Sequence, residues 1–166
     1  MTAQSPCPST KSTAPESQGG IVTWRTVEEM EAGWPVAQQM YTHLTLEKYR
    51  DILSQAVRMD YRQFAYLNEE GECLGVVGLW LIPRIWCELQ VDIDNFAVDS
   101  AHQSQGIGKR LLNHCLAFAK EAGASIATLD TKIENTDSHR FYYREGFIIR
   151  GYHFVKPLQG QSLWSY

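Results

Sequence analysis

Asp94-Asn95-Phe96-Ala97-Val98-Asp99-Ser100-Ala101-His102-Gln103-Ser104-Gln105-Gly106-Ile107-Gly108-Lys109-Arg110-Leu111-Leu112 decides the fold of this chain. Upstream, Leu89, Val91 and Ile93, then Phe96 and Val98, are apolar in near-alternation, the period of a strand. Downstream, Ile107, Leu111, Cys115, Phe118 and Ala122 recur every three or four positions, the period of a helix. Between them, Gln103 to Gly108 carries little side-chain bulk. A strand that feeds such a turn leaves the first amides of the helix without helical partners. Those amides and the helix dipole suit a phosphate, and Gly106 and Gly108 let it approach the backbone. The plain alternative is a connector whose glycines only make a turn.

Two phosphate motifs fail here. A P-loop needs glycine at position 103 and Ser or Thr after Gly108-Lys109, where this chain has Gln103 and Arg110. The dinucleotide fingerprint needs a third small residue where Leu111 stands. A nucleotide-binding α/β protein is weakened accordingly.

The phase of the apolar residues slips inside the strand. Leu89, Val91 and Ile93 are odd-numbered, whereas Phe96 and Val98 are even. A β-bulge near Asp94-Asn95 produces such a slip and is the preferred reading. The alternative is an unbroken strand with Ala97 on the first face and Asn95 as a tolerated polar residue. A bulge twists strands apart, and a gap beside the next parallel strand admits an extended ligand arm.

Working outward, residues 1–20 are rich in Ser, Thr, Pro, Gln and Gly and read as a disordered tail without a secretory signal, leaving 21–166 as one domain. Ile21–Trp24 is a strand; Thr26 with Glu29 is a capping box; Trp34-Pro35 opens a second helical segment to about Tyr41; and Thr45 caps a helix with Leu46, Tyr49, Leu53 and Val57 on one face. Tyr61–Leu67 and Cys73–Ile82 form a hairpin, and Trp86–Val98 returns as the long strand. After the helix ending at Gly123 come a short strand Ile126–Leu129, a helix Asn135–Glu145 and a final strand Phe147–Val155. Hairpins followed by a β-α-β unit predict an α/β (α+β) domain, with a mixed, mostly antiparallel sheet.

Composition narrows the function classes. A net charge of −4 argues against a nucleic-acid binder. No apolar run is long enough to span a bilayer. The four cysteines form no Cys-x-x-Cys pair and read as reduced thiols, which predicts a cytoplasmic protein. His102, His114, His139 and His153 have no metal-ligand spacing, so no metal is expected. An unpaired edge strand leaves a homodimer open.

Gln103-x-x-Gly106-x-Gly108 resembles the pyrophosphate motif of the GNAT acetyltransferase superfamily. Asn135-x-x-Ser138-x-x-Phe141-Tyr142-x-x-x-Gly146-Phe147 resembles a second motif of the same family, with Ser138 as a small-residue replacement. The two stand in the family's order, with a helix and a strand between them. The resemblance implies a sheet of six to seven strands, flanked by about four helices and splayed between the strands ending at Val98 and Leu129. It implies acetyl-CoA in the splay, its arm along Phe96, Ala97 and Val98, and its pyrophosphate on Gln103, Ser104, Gln105, Gly106, Ile107, Gly108 and Lys109. It also implies cofactor contacts from Asn135, Phe141 and Arg144; the plain alternatives are core packing for Phe141 and a solvated face for Arg144.

The chemistry implied is N-acetyl transfer to a primary amine of a small molecule or peptide by direct attack. Tyr142 matches the acid that protonates the leaving thiolate, its phenol starting from a pKa of about 10. Asp94 matches a position where many members carry a base, with Asp92 or a water chain as alternatives. Trp34, Tyr41 and Trp80 are candidates to line the acceptor side, where aromatic faces attract ammonium groups. The competing class is an acyl-CoA-binding sensor or interaction module that transfers nothing.

Overall fold

A computed structural model describes residues 19–158. Five strands form one sheet in the order β1 (Gly20–Trp24), β2 (Arg62–Leu67), β3 (Cys73–Arg84), β4 (Glu88–Val98), β5 (Ile126–Leu129). The first four are antiparallel neighbours, and β5 runs parallel to β4. Between β1 and β2 lie α1 (Val27–Glu31), α2 (Trp34–Met40) and α3 (Leu46–Val57). α4 (Ile107–Glu121) connects β4 to β5, and α5 (Thr136–Arg144) follows β5.

The local signals act as the sequence says. Thr26 Oγ1 accepts from Glu29 N while Glu29 Oε2 accepts from Thr26 N, so both ends of the capping box close. Thr45 Oγ1 accepts from Lys48 N at 3.2 Å, and Pro35 sits in the first turn of α2, where its missing N–H costs nothing.

The sheet is buried on both faces because β3 alternates between two cores. Val76 joins Met30, Val36, Ala37, Tyr49, Leu53 and Ala65 under α1–α3. Val77 and Leu79 join Phe64, Val91 and Ile93 under Ile107, Leu111, Leu112 and Cys115 of α4. Leu111 and Leu112 are fully buried, and each side chain of that kind stabilises the fold by about 1.5–3 kcal/mol.

Two expectations are corrected. The sheet has five strands rather than six to seven, because Phe147–Val155 forms no strand. Ile148, Ile149, Tyr152, Phe154 and Val155 are all exposed there, and Gly151 interrupts the run, so no packed face holds the segment in a strand register. Five α-helices, rather than about four, flank the sheet, with a 3-10 turn at Ser100–His102. The tail expected at 1–20 lies, through residue 18, outside the described residues.

Candidate active site

The β3–β4 ladder runs from Val76↔Ala97 directly to Gly78↔Asp94, so Asn95 and Phe96 together oppose Val77. This is the bulge, and Asn95 makes it with a left-handed φ of 52°, which asparagine tolerates. The extra residue places two consecutive side chains, Asp94 and Asn95, on the α1–α3 side. Phe96 and Val98 then pack on the α4 side, and Ala97 returns to the first.

Four elements meet at these two residues. Asn95 Nδ2 donates to Tyr61 Oη at 2.7 Å and to Asp94 Oδ2 at 3.1 Å, and Asn95 Oδ1 accepts from the Tyr41 hydroxyl. The Asn95 amide donates to Asp94 Oδ1 at 2.8 Å, and Trp80 Nε1 donates to Asp94 Oδ2 at 3.4 Å. Tyr61 is buried, stacks on Trp80 with centroids 4.8 Å apart, and lies within 3.5 Å of Gln63 Nε2. Loss of water around the Asp94 carboxyl pushes its pKa up, against the pull of Trp80 and the Asn95 amide, and Asp92 and Asp130 add to the rise. Solvent still reaches Asp94, which tempers the effect. Burial likewise drives the Tyr41 and Tyr61 hydroxyls upward, so both stay protonated, Tyr41 donating to Asn95 and Tyr61 accepting from it.

β5 pairs with β4 from Gln90↔Ile126 to Ile93↔Leu129 and stops. β4 continues to Val98, so on that edge Asp94–Val98 has no strand partner among the described residues. The sheet is therefore open at the place expected. At the end of this free edge, Asp99 enters the 3-10 turn, and Ser104 and Gly106 adopt positive φ of 62° and 83°. The first intrahelical bond of α4 runs from Arg110 N to Gly106 O at 3.0 Å, and no side chain caps the helix. The amides of Ile107, Gly108 and Lys109 precede that first bond. A methyl group added at Gly106 would meet nothing within 4 Å, so the turn is open there, whereas one at Gly108 would touch Val98 at 3.6 Å and Phe96 and Phe141 at 3.8 Å.

On the α4 side of the opening, Tyr142 lies in a ring cluster: centroids are 5.3 Å to Phe141, 6.4 Å to Phe96 and 5.7 Å to Phe147. This burial pushes its phenol pKa up to about 12, higher than the sequence alone implies. Phe141 packs edge-on against Phe96 at 6.0 Å, so it serves the core as well as the opening. Asn135 caps α5, its Oδ1 accepting from Ser138 N at 3.2 Å.

The remaining candidates are distributed unevenly. Gln103 reaches back to Val98 O at 3.4 Å, and Gln105 flanks the turn. Lys109 is held by Glu145 at 3.1 Å, tying α4 to α5. Arg144 is exposed on α5. Tyr41 and Trp80 converge on Asp94–Asn95, whereas Trp34 stacks on Tyr49 at 5.0 Å and packs into the α1–α3 core. Asp92 accepts from Thr128 Oγ1 at 2.7 Å, which ties β4 to β5. Sequence reading missed Asn95, Tyr61 and Gln63 as members of this knot; the slip in strand phase beside Asn95 was the one available signal. Among the described residues no group of three His, Cys, Asp or Glu side chains could hold a metal, and no helix is long and apolar enough to cross a membrane.

Comparison with known proteins shows the family and the fold. The chain is 28% identical over 134 residues to an uncharacterised N-acetyltransferase, YhdJ, of Bacillus subtilis, covering 79% of this chain and 93% of that protein. It is 26% identical to the aminoalkylphosphonate N-acetyltransferase of Salmonella typhimurium, covering 74% and 80%. In fold it matches an aminoglycoside N-acetyltransferase solved with CoA, at TM-score 0.75 and 15% identity over 89% of this chain and 99% of the other. A glucosamine-6-phosphate N-acetyltransferase of Arabidopsis thaliana matches at TM-score 0.68 and 17% identity, over 86% and 99%. The model of the acetyltransferase (GNAT) family matches residues 24–147, from the last residue of β1 to the end of the second motif. The chain belongs to the GNAT family of acetyltransferases and is an acyltransferase.

Proposed function

We propose that this protein is a cytoplasmic N-acetyltransferase that moves an acetyl group from acetyl-CoA to a primary amine of a small molecule or peptide by direct attack. The observation that carries this reading is the free edge of β4, Asp94–Val98, which leads straight onto the uncapped turn Gln103–Gly108. An extended amide-bearing arm adds to such an edge as a strand does, and a pyrophosphate suits the amides of Ile107, Gly108 and Lys109.

The chain's own groups then divide the chemistry between the two sides of the opening. Asp94, raised in basicity, accepts a proton from the incoming ammonium, directly or through water. The freed amine nitrogen forms its bond to the thioester carbonyl carbon; as the carbon–sulfur bond breaks, the nitrogen gives its second proton to water, leaving a neutral amide and the CoA thiolate. Tyr142 offers its proton to the leaving sulfur. With its pKa near 12, the phenol is fully protonated throughout the neutral range, so the donor is always loaded. The same rise makes complete transfer to a thiolate uphill, so Tyr142 acts chiefly through a strong hydrogen bond that tightens as negative charge develops. Tyr41 and Trp80 border the acceptor side, next to Asp94.

Thermal unfolding with acetyl-CoA, CoA, ATP and NAD tests the binding half. Ligand at about 100 times its Kd stabilises by roughly 2.7 kcal/mol. In a domain of this size that is a rise of roughly 5–10 °C. A rise with both CoA species but not with ATP or NAD is expected. No rise with millimolar CoA would remove the cofactor assignment.

A further inference from the structure

Helix α2 grips β4 and the loop beyond it at two points. Upstream, Tyr41 at the C-terminal end of α2 donates to Asn95 Oδ1. Downstream, Gln39 Nε2 donates to Asp99 Oδ2 at 3.0 Å, and Gln39 Oε1 accepts from Ser100 N at 2.9 Å. Between the two grips lie Phe96, Ala97 and Val98, the free edge assigned above to the arm of acetyl-CoA. Asp99 is held from other sides too: its Oδ1 accepts from Ala101 N at 2.8 Å and lies 3.2 Å from His102 Nδ1, while its amide donates to Leu74 O at 2.9 Å. Both ends of one glutamine carboxamide are thus spent on Asp99 and Ser100, which open the 3-10 turn that carries the chain from β4 into the glycine turn. A surface glutamine gives up rotamer freedom to do this, which a purely solvated role would not require.

We propose that Gln39 is a positioning residue that sets the cofactor turn from helix α2, so that CoA meets the turn already in its binding shape. The proposal rests on the acetyl-CoA reading above and adds a residue that lies outside both family-like motifs. A turn fixed in advance loses less freedom when the ligand arrives, so part of the affinity for CoA resides in a side chain that does not touch it. Because α2 also carries Tyr41, the helix that borders the acceptor side is the one that shapes the cofactor turn.

The test is calorimetric titration of the full chain with CoA, using the native protein, Gln39→Met, Ser100→Pro and the double variant. Gln39→Met keeps side-chain length and helix propensity without the polar atoms. Ser100→Pro removes the N–H from the other side of the same bond, and the ψ of 130° at Asp99 suits a residue before proline. Each single change should raise the Kd for CoA about two- to ten-fold, the worth of one net hydrogen bond. The double variant should be no weaker than the weaker single, and the melting temperature without ligand should hold. Amide exchange should quicken across Asp99–Gly106 in Gln39→Met and stay unchanged in β1 and β2. Unchanged Kd and exchange in Gln39→Met, or additive effects in the double variant, would overturn the proposal. If the native chain binds no CoA, the acetyl-transfer reading fails and this proposal with it, while the exchange experiment still reports whether Gln39 orders the turn.

Discussion

Gly78 stands opposite Asp94 in the sheet and makes room for the Tyr61 hydroxyl that Asn95 donates to. A Cβ built on Gly78 lies 1.8 Å from Tyr61 Oη, 2.5 Å from its Cζ and 2.8 Å from its Cε2. The ring is 2% exposed and is stacked on Trp80, so it cannot swing clear without dragging its neighbours. Gly78→Ala therefore forces overpacking, which costs about 1–3 kcal/mol, and breaks the buried Tyr61–Asn95 bond, about 1 kcal/mol more. Against this, alanine restricts the unfolded chain and returns about 0.4–1 kcal/mol. The net loss is about 1–3.5 kcal/mol, or roughly 2–14 °C in melting temperature. Urea unfolding of Gly78→Ala, Tyr61→Leu and the double variant measures it. Because leucine removes the ring that the new methyl strikes, the double variant should lose less than the summed singles, by about 1–2 kcal/mol. A Gly78→Ala variant within 0.5 kcal/mol of native, or strict additivity, would refute the claim that this glycine exists for Tyr61.

Three further outcomes follow from the two sides of the opening. Tyr142→Phe should cut kcat by about 10²–10⁴-fold in steady-state assays while leaving the Kd for CoA unchanged. With the native phenol near pKa 12, the rate of the native enzyme should show no alkaline fall from Tyr142 below about pH 11. For Asp94 the sign runs the other way: its folded pKa is raised, so the base is lost as pH falls through that raised value, and kcat/KM should fall with it. The same shift means that the ionised carboxylate costs stability above its folded pKa, so Asp94→Asn should lose activity yet melt slightly higher at neutral pH, the gain being small because solvent reaches the group. Asn95→Ala and Asn95→Gly should both lower kcat/KM about two- to ten-fold, as the Asp94 carboxylate loses one of its three hydrogen-bond donors. Only the alanine variant should carry the added backbone strain of φ 52°, about 1–2 kcal/mol in chemical unfolding.

Local signals were the legible part of this fold. Thr26 with Glu29, Thr45 and Pro35 declare their helices because the atoms that satisfy each helix end lie within four residues. The bulge was legible because one inserted residue shifts the phase of every apolar residue after it. The Phe147–Val155 strand was misread because β-favouring residues make a strand only where they pack, and here Ile148, Ile149, Tyr152, Phe154 and Val155 all stay exposed. The polar contacts around the bulge were mostly hidden: Tyr41 meets Asn95 across 54 positions and Gln39 meets Asp99 across 60. Polar contacts of that range leave no periodic trace. Lys109 shows the same limit from the other direction, since a lysine beside a phosphate turn and a lysine paired with Glu145 look identical in sequence.

The measurement that bears most directly on the central claim is thiol release from acetyl-CoA against a panel of primary amines, with the products followed by mass spectrometry. The account predicts that release requires an amine, that each thiol released is matched by one N-acetylated amine, and that both fall together in Tyr142→Phe. If CoA binds tightly while no amine in the panel raises thiol release above the uncatalysed rate, the opening between β4 and β5 holds its ligand without transferring it, and the transferase mechanism drawn here is contradicted.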